Sequence, residues 1–267
     1  MLQEITPKKI LTIAGSDCSG GAGIQADIKT ITAHKMYAMS AITSLTAQNT
    51  TGVYGIFDTA PAFVAQEIDC IFEDIRPDAV KIGMVSNAEI IEIIAAKLKE
   101  YSATNIVVDP VMVSTSGSRL LSLEAMDVLV HSLLPLASII TPNIPEAEAL
   151  TNTIIKTKDD SLHAARQIAS DLNSGILIKG GHFADTADDL LFWQNEVYWF
   201  KGEKIVNPNT HGTGCTLSSA IACNLAAGCA LPDAVKNAKD YITGALRAGL
   251  NLGKGSGPLN HMYRIKA

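Results

Sequence analysis

Strand-like and helix-like runs alternate along almost the whole chain, and this alternation limits the folds open to it. Lys9 to Ala14 (KILTIA) reads as a buried strand, and Ile24 to Ala33 follows with Ile24, Ile28 and Ile31 on one helical face. Met39 to Ala47 is strand-like; Pro61 opens a helix, at a position where its missing N–H costs nothing. The pattern repeats through the strand Ala79 to Gly83, a helix from Asn87 to about Glu100, the strand Asn105 to Asp109 and a helix from Ser122 to Leu133. Ser138 to Thr141 is a strand, Pro145 starts a short helix, Asp160 to Leu172 is helical and Gly175 to Lys179 is a strand. Asp188 to Trp193 and Val197 to Phe200 form an antiparallel pair across Gln194-Asn195-Glu196. Helices from about Gly214 to Ala227 and from Pro232 to Leu250 end the pattern.

Continuous apolar strands alternating with helices predict a mainly parallel sheet covered on both faces, in one domain over 1–267. Charged residues are only 18% of the chain, which fits many fully buried elements and argues against disorder. The formal net charge of −6 excludes a general nucleic-acid-binding surface, which needs a basic footprint. No apolar stretch is long enough to span a membrane, and the start, MLQEITPKKI, shows no signal-peptide pattern. The five cysteines are odd in number and fit reduced thiols in a cytoplasmic protein better than a disulfide framework.

In such sheets ligands bind beyond the carboxyl ends of the strands. Those ends read Gly15-Ser16-Asp17, Gln48-Asn49, Gly83-Met84, Asp109-Pro110, Thr141-Pro142-Asn143 and Lys179-Gly180-Gly181-His182. The most informative segment is Asn209-Thr-His-Gly-Thr-Gly-Cys215-Thr, which runs into an apolar helix. Its glycines let a ligand approach the backbone, and free N–H groups at a helix start make an anion site. Cys215 falls in the first helical turn, where the dipole favours a thiolate; a buried small thiol in a tight turn is the alternative.

Gly21-Ala22-Gly23-Ile24-Gln25-Ala26 matches the dinucleotide-binding G-x-G-x-x-[GA] pattern, but Ser16 to Gly20 separates it from the strand. No acidic residue stands about 20 positions on to hold a ribose; Ser40, Ala41 and Ile42 are there. Asp109 and Glu146 sit at neighbouring strand ends, where two carboxylates can hold a hard cation through water. Glu146 is equally a favourable acidic helix start. Lys179 ends a strand inside IKGGH, an uncommon place for a lysine unless it meets an anion. His211, Cys215, Cys223 and Cys229 have spacings that do not suit structural zinc.

Taken together, AGSDCSGGAGIQADIKT, TSLTAQNTTGV, KIGM, VVDPVM, TPNIPEAEAL, IKGGH and NTHGTGCTLSSAIA closely resemble one family across nearly the whole chain. It is the hydroxymethylpyrimidine/phosphomethylpyrimidine kinase family of thiamine biosynthesis, within the ribokinase-like superfamily. The resemblance implies a ribokinase-like three-layer α/β/α sandwich, ATP with Mg²⁺, a homodimer, and two successive phosphorylations. The first converts 4-amino-5-hydroxymethyl-2-methylpyrimidine to its monophosphate, and the second makes the diphosphate. Carried onto this sequence, it puts Gly15, Asp27, Gln48, Met84 and Val111 around the pyrimidine. It puts Asn143, Lys179, Thr210 and His211 on ATP, with Asp109 and Glu146 on the metal through water. Cys215 and the Gly212-Thr213-Gly214 turn take the catalytic roles. Cys215 stands where many ribokinase-like sugar kinases carry an aspartate base, and Cys18 stands where such loops often have proline or a small residue.

Gln48 suits an aminopyrimidine, because an amide presents a donor and an acceptor side by side. Pyridoxal lacks the exocyclic amine, so a pyridoxal kinase of the same family type is the rival expectation. A non-catalytic nucleotide or vitamin-precursor sensor is the rival from another class. The joint presence of Asp109, Glu146, Lys179 and Cys215 argues against it.

Overall fold

The computed structural model describes residues 6–112, 121–181 and 186–265; His182 of the IKGGH motif lies outside them. One nine-stranded sheet runs through the molecule in the order β3-β2-β1-β4-β5-β6-β7-β8-β9. Its strands are β1 (Lys9–Asp17), β2 (Tyr37–Asn49), β3 (Gly52–Asp58), β4 (Ala79–Ile82), β5 (Ile106–Val108), β6 (Ile139–Ile140), β7 (Gly175–Ile178), β8 (Asp189–Trp193) and β9 (Glu196–Phe200). From β2 through β7 the neighbours are parallel. The antiparallel pairs are confined to the two margins, β2 with β3 and β7-β8-β9.

Strand alternation sends successive apolar residues into two separate cores. Leu11, Ile13, Val80, Ile82, Val108 and Ile140 pack under α2 (Pro61–Asp74), α3 (Ala88–Glu100), α4 (Leu123–Val128) and α6 (Lys158–Ser170). Ile10, Ala79, Val107, Ile139 and Leu177 pack under α1 (Gly23–Ala33), α7 (Thr213–Ala226) and α8 (Leu231–Ala248). The result is the three-layer sandwich with a mainly parallel sheet that the alternation predicts. The short α5 (Ile144–Thr151) starts beyond β6.

Local chemistry sets the element ends. Asn87 Oδ1 accepts from the Glu89 and Ile90 N–H groups and caps α3. Asn143 and Glu146 form a reciprocal capping box on α5. Gln194 and Asn195 both take positive φ in the two-residue turn between β8 and β9, as a tight hairpin requires. The structure departs from expectation in two places. Beyond Val128 the expected helix to Leu133 becomes a π turn, then a 3-10 turn containing Pro135, whose ring cannot continue the ladder. The β3 strand carries two glycines and is exposed along most of its length, so no apolar periodicity marks it.

Candidate active site

The strand ends and the α7 start enclose a cleft of about 920 Å³. Gly15, Gln48, Met84, Asp109, Val111, Asn143, Glu146, Lys179 and the Thr210 to Cys215 turn all line it. Residues separated by up to two hundred positions in sequence thus converge where the parallel strands stop.

One end is ionic. Lys179 Nζ lies 2.7 Å from Asp109 Oδ1 and 3.9 Å from Glu146 Oε2. Thr141 Oγ1 also donates to Asp109 Oδ1 at 3.1 Å. Burial opposes the Lys179 charge, but Asp109 and Glu146 outweigh it and hold the ammonium above the usual lysine range. Burial pushes Glu146 up to about 7; Lys179 resists this and the Asp109 charge adds to it. Lys179 therefore does meet an anion at its strand end, and in this structure the anion is a carboxylate of the protein itself.

The glycine turn closes on this pair. A Cβ at Gly214 would stand 3.0 Å from Asp109 Oδ2 and 3.5 Å from Lys179 Nζ. Gly212 has φ +84, and a Cβ there would meet the Gly21 carbonyl at 2.0 Å. Only glycine permits that conformation and that approach, and together they bring the start of α7 to the cleft, where the Thr213 N–H donates to the Thr210 carbonyl at 3.3 Å. Cys215 sits in this first turn, half-buried. Burial pushes its thiol up to about 11, with the Lys81 ammonium pulling the other way. The dipole effect expected from sequence is thus outweighed by loss of solvent.

The other end carries Gln48, Gly15 and Met84. The Gln48 amide touches His211 Nε2 and Thr46 Oγ1, both at 3.1 Å. His211, expected on the nucleotide side, turns its ring instead toward Gln48 and Asp17, and is 6% exposed. A Cβ on Gly15 would lie 2.7 Å from Met84 Cε, so this wall is closed by Met84 because residue 15 has no side chain.

Asp27 departs from the expected position. It is fully buried behind the cleft wall, with Lys81 Nζ at 2.8 Å, Thr12 Oγ1 at 2.6 Å and Ser219 Oγ at 2.7 Å. Its carboxylate is enclosed by these partners and does not face the cleft.

Sequence reasoning did not assign roles to Asp17, Thr46 or Lys81, nor to the far cleft wall of Ile205, Asn207, Ile242, Thr243 and Leu246. Lys81 did leave a signal, a lysine inside the apolar run AVKI. The far wall left none, since its residues come from a coil segment and one face of α8.

Among the described residues no group of three or more His, Cys, Asp or Glu is placed to hold a metal ion. The oxygen donors at the ionic end are Asp109 and Glu146, with Lys179 against both. Such a pair fits a hard cation that shares most of its ligands with phosphate and water.

A family model described as phosphomethylpyrimidine kinase matches residues 17–260. The chain is 44% identical over 261 residues to the hydroxymethylpyrimidine/phosphomethylpyrimidine kinase of Streptomyces coelicolor, covering 98% of this chain and 97% of that one. It is 50% identical over 254 residues to the thiamine biosynthesis bifunctional protein ThiED of Geobacter sulfurreducens. That match covers 95% of this chain but only 52% of the bifunctional protein. Among solved structures, the ADP complex of Bacillus subtilis pyridoxal kinase superposes with a TM-score of 0.89 at 36% identity, covering 97% of this chain and 98% of that one. The family model spans both ends of the cleft, from Asp17 past the glycine turn and Cys215, and on this match the chain belongs to the phosphomethylpyrimidine kinase family.

Proposed function

We propose that the chain phosphorylates 4-amino-5-hydroxymethyl-2-methylpyrimidine with ATP and then phosphorylates the monophosphate, in thiamine biosynthesis. The observation that carries this reading is a single cleft with an amide-bearing end and an ionic end joined by the glycine turn. Phosphoryl transfer depends on positioning and charge stabilisation more than on covalent help. The N–H groups of Gly212 and Gly214, and that of Thr213 once it leaves the Thr210 carbonyl, receive charge developing on the transferred group, and Lys179 supplies a cation beside them. Ile205, Ile242 and Leu246 give the base of the nucleotide an apolar wall, with Asn143 and Thr210 nearer the phosphates. Asp109 and Glu146 would hold Mg²⁺, which neutralises phosphate charge when bound. Gln48 pairs with the amino group and ring nitrogen of the pyrimidine, against Gly15, Met84 and Val111.

The single-domain reading over 1–267 is supported by the one continuous sheet. A homodimer is supported by the outer face of the β2-β3 pair, where Leu45 and Phe57 are register partners, 50% and 71% exposed. The cytoplasmic reading is supported by the five free cysteines, and no helix among the described residues is long and apolar enough to cross a membrane.

Product analysis tests the function. With the hydroxymethylpyrimidine, ATP and Mg²⁺, monophosphate is expected first and diphosphate later. Pyridoxal supplied alone is expected to turn over more slowly, because it lacks the amine that Gln48 reads; faster turnover of pyridoxal would favour the rival kinase. No phosphorylation of either would revive the sensor.

Two variants separate the ends of the cleft. Gln48→Ala is expected to weaken the aminopyrimidine by about 1–3 kcal/mol, the cost of unpaired polar groups, with the KM for ATP unchanged. Unaltered pyrimidine kinetics would remove Gln48 from substrate recognition. Lys179→Ala is expected to raise the KM for Mg·ATP roughly 10-fold, the worth of a charged hydrogen bond, while the protein melts cooperatively. Wild-type ATP kinetics in that variant would refute the assignment of the nucleotide end.

A further inference from the structure

Three side chains meet where β1 ends against the glycine turn. Asp17 Oδ2 stands 2.9 Å from His211 Nε2, and the two side chains are 3% and 7% exposed. Asp17 also accepts from the N–H groups of Ser19 at 2.9 Å, Gly21 at 3.0 Å and Ala22 at 2.8 Å, and from the Ser19 hydroxyl at 2.8 Å. Burial alone would raise its pKa, but His211, Ser19 and Ala22 outweigh burial and hold it well below the usual carboxylate range. Asp17 is therefore an acceptor only. His211 Nε2 must carry a hydrogen and donate it to Asp17, whatever the state of the other ring nitrogen.

That hydrogen constrains Gln48. The structure sets the amide nitrogen of Gln48 toward His211 and its oxygen toward Thr46 Oγ1. The first contact then opposes donor to donor. The second asks the one hydroxyl hydrogen of Thr46 to serve two acceptors, since Thr46 Oγ1 also donates to the Ser16 carbonyl at the shorter distance of 2.9 Å. Turning the amide over, with its end atoms keeping their places, removes the donor–donor opposition and the competition for the Thr46 hydrogen. The oxygen then faces the His211 Nε2–H, which it shares with Asp17 as the more distant acceptor, and the nitrogen donates to Thr46. The two ends of an amide are told apart by such partners.

We infer that the Asp17–His211 pair holds the Gln48 amide with its oxygen toward the glycine turn and its nitrogen toward Thr46, and so sets which way round the aminopyrimidine lies. The inference rests on the reading of Gln48 as the partner of the pyrimidine. The amide keeps one lone pair and one N–H for the ligand. The 4-amino group meets the oxygen on the His211 side, and the adjacent ring nitrogen meets the amide nitrogen on the Thr46 side. The 5-hydroxymethyl group lies beyond the amino group, away from that ring nitrogen. It therefore projects toward His211 and the following turn, Gly212 to Cys215. With the amide reversed, the ligand is read backwards and its alcohol faces away from the turn. Asp17 and His211 are positioning residues that act through Gln48.

The test combines kinetics with a direct view of the proton. His211→Leu removes the donor, and Asp17 keeps its Ser19, Gly21 and Ala22 partners, so the variant is expected to fold; its thermal melt checks this. His211→Gln restores an N–H within reach of both neighbours. The Leu variant is expected to lose about 10-fold in kcat/KM for the aminopyrimidine, with the KM for ATP unchanged, and the Gln variant to recover most of it. Combining His211→Leu with Gln48→Ala is expected to cost no more than Gln48→Ala alone. Losses that multiply in the double variant, or a raised KM for ATP, would overturn the inference. Nitrogen NMR of the imidazoles, assigned against His211→Leu, is expected to show His211 Nε2 protonated. A bare Nε2 would overturn it whatever the substrate is. Intact pyrimidine kinetics in Gln48→Ala would instead sink the substrate reading, and the NMR result would still decide the amide.

Discussion

Cys215→Ala is expected to slow monophosphate formation by about 10²–10⁴-fold, the usual worth of a positioned base, and to slow diphosphate formation far less. The two acceptors differ in one respect that matters here. The first is a neutral alcohol that must lose a proton as it attacks phosphorus. The second is a phosphate monoester, already ionised near pH 7 because its second pKa is about 6. It needs no base, and a thiolate nearby would repel it. The Gly212 to Gly214 turn, proposed as the anion site, is expected to serve both steps, since both transfer the same phosphoryl group from ATP.

The thiol makes the pH dependence specific. Burial pushes Cys215 up to about 11, against the Lys81 ammonium. Below that value the thiolate fraction grows tenfold with each pH unit. The first-step rate is therefore expected to rise through the alkaline range in the wild type and to lose that rise in Cys215→Ala. The second-step rate is expected to show no such limb. Cys215→Ser is expected not to rescue, because a hydroxyl ionises far above a thiol. Initial rates with each acceptor supplied separately, at saturating Mg·ATP, give the measurement. Equal fractional losses in the two steps would show that Cys215 is not a base specific to the first.

The architecture was legible because β1, β4, β5, β6 and β7 are buried on both faces and read as mostly apolar runs, bounded by small or polar residues. Those bounding residues marked the cleft, since in this topology the strand ends are the binding edge. The β3 strand was not legible: it lies largely outside the core, and in GVYGIFD two glycines and adjacent apolar residues on both faces leave no alternation to mark a strand. Side-chain direction was also out of reach. Position 211 belongs to the glycine turn in sequence, yet its ring turns back to Asp17 across 194 positions. Lys179 was read as waiting for an anion, and the sequence could not say that Asp109 already supplies one. Long-range ion pairs of this kind have no period and no spacing.

Asp27 shows the same limit with the larger consequence for stability. Its carboxylate joins elements that are distant in sequence: Thr12 on β1, Lys81 on β4 and Ser219 on α7. Lys81 and Asp27 are both 0% exposed. Burial alone would lower the lysine's pKa, but the Asp27 carboxylate, with Asp109 beyond it, outweighs burial and holds the ammonium above the usual lysine range. Asp27→Ala removes the carboxylate bonded to that ammonium and leaves a cation in the core without its partner. The expected cost is about 3–5 kcal/mol of stability. For a domain of this size, that is a fall in Tm of roughly 10 °C. Asp27→Asn keeps the shape and the acceptor for Thr12 but not the charge, and is expected to fall between alanine and wild type. Lys81→Met placed on top of Asp27→Ala removes the orphaned cation, so the double variant is expected to be more stable than Asp27→Ala alone. Any loss of activity in Asp27→Ala is then expected to follow the displacement of α7, whose first turn carries Gly214 and Cys215, and to appear with both substrates. A variant that melts like the wild type but loses only its affinity for the pyrimidine would return Asp27 to the substrate pocket.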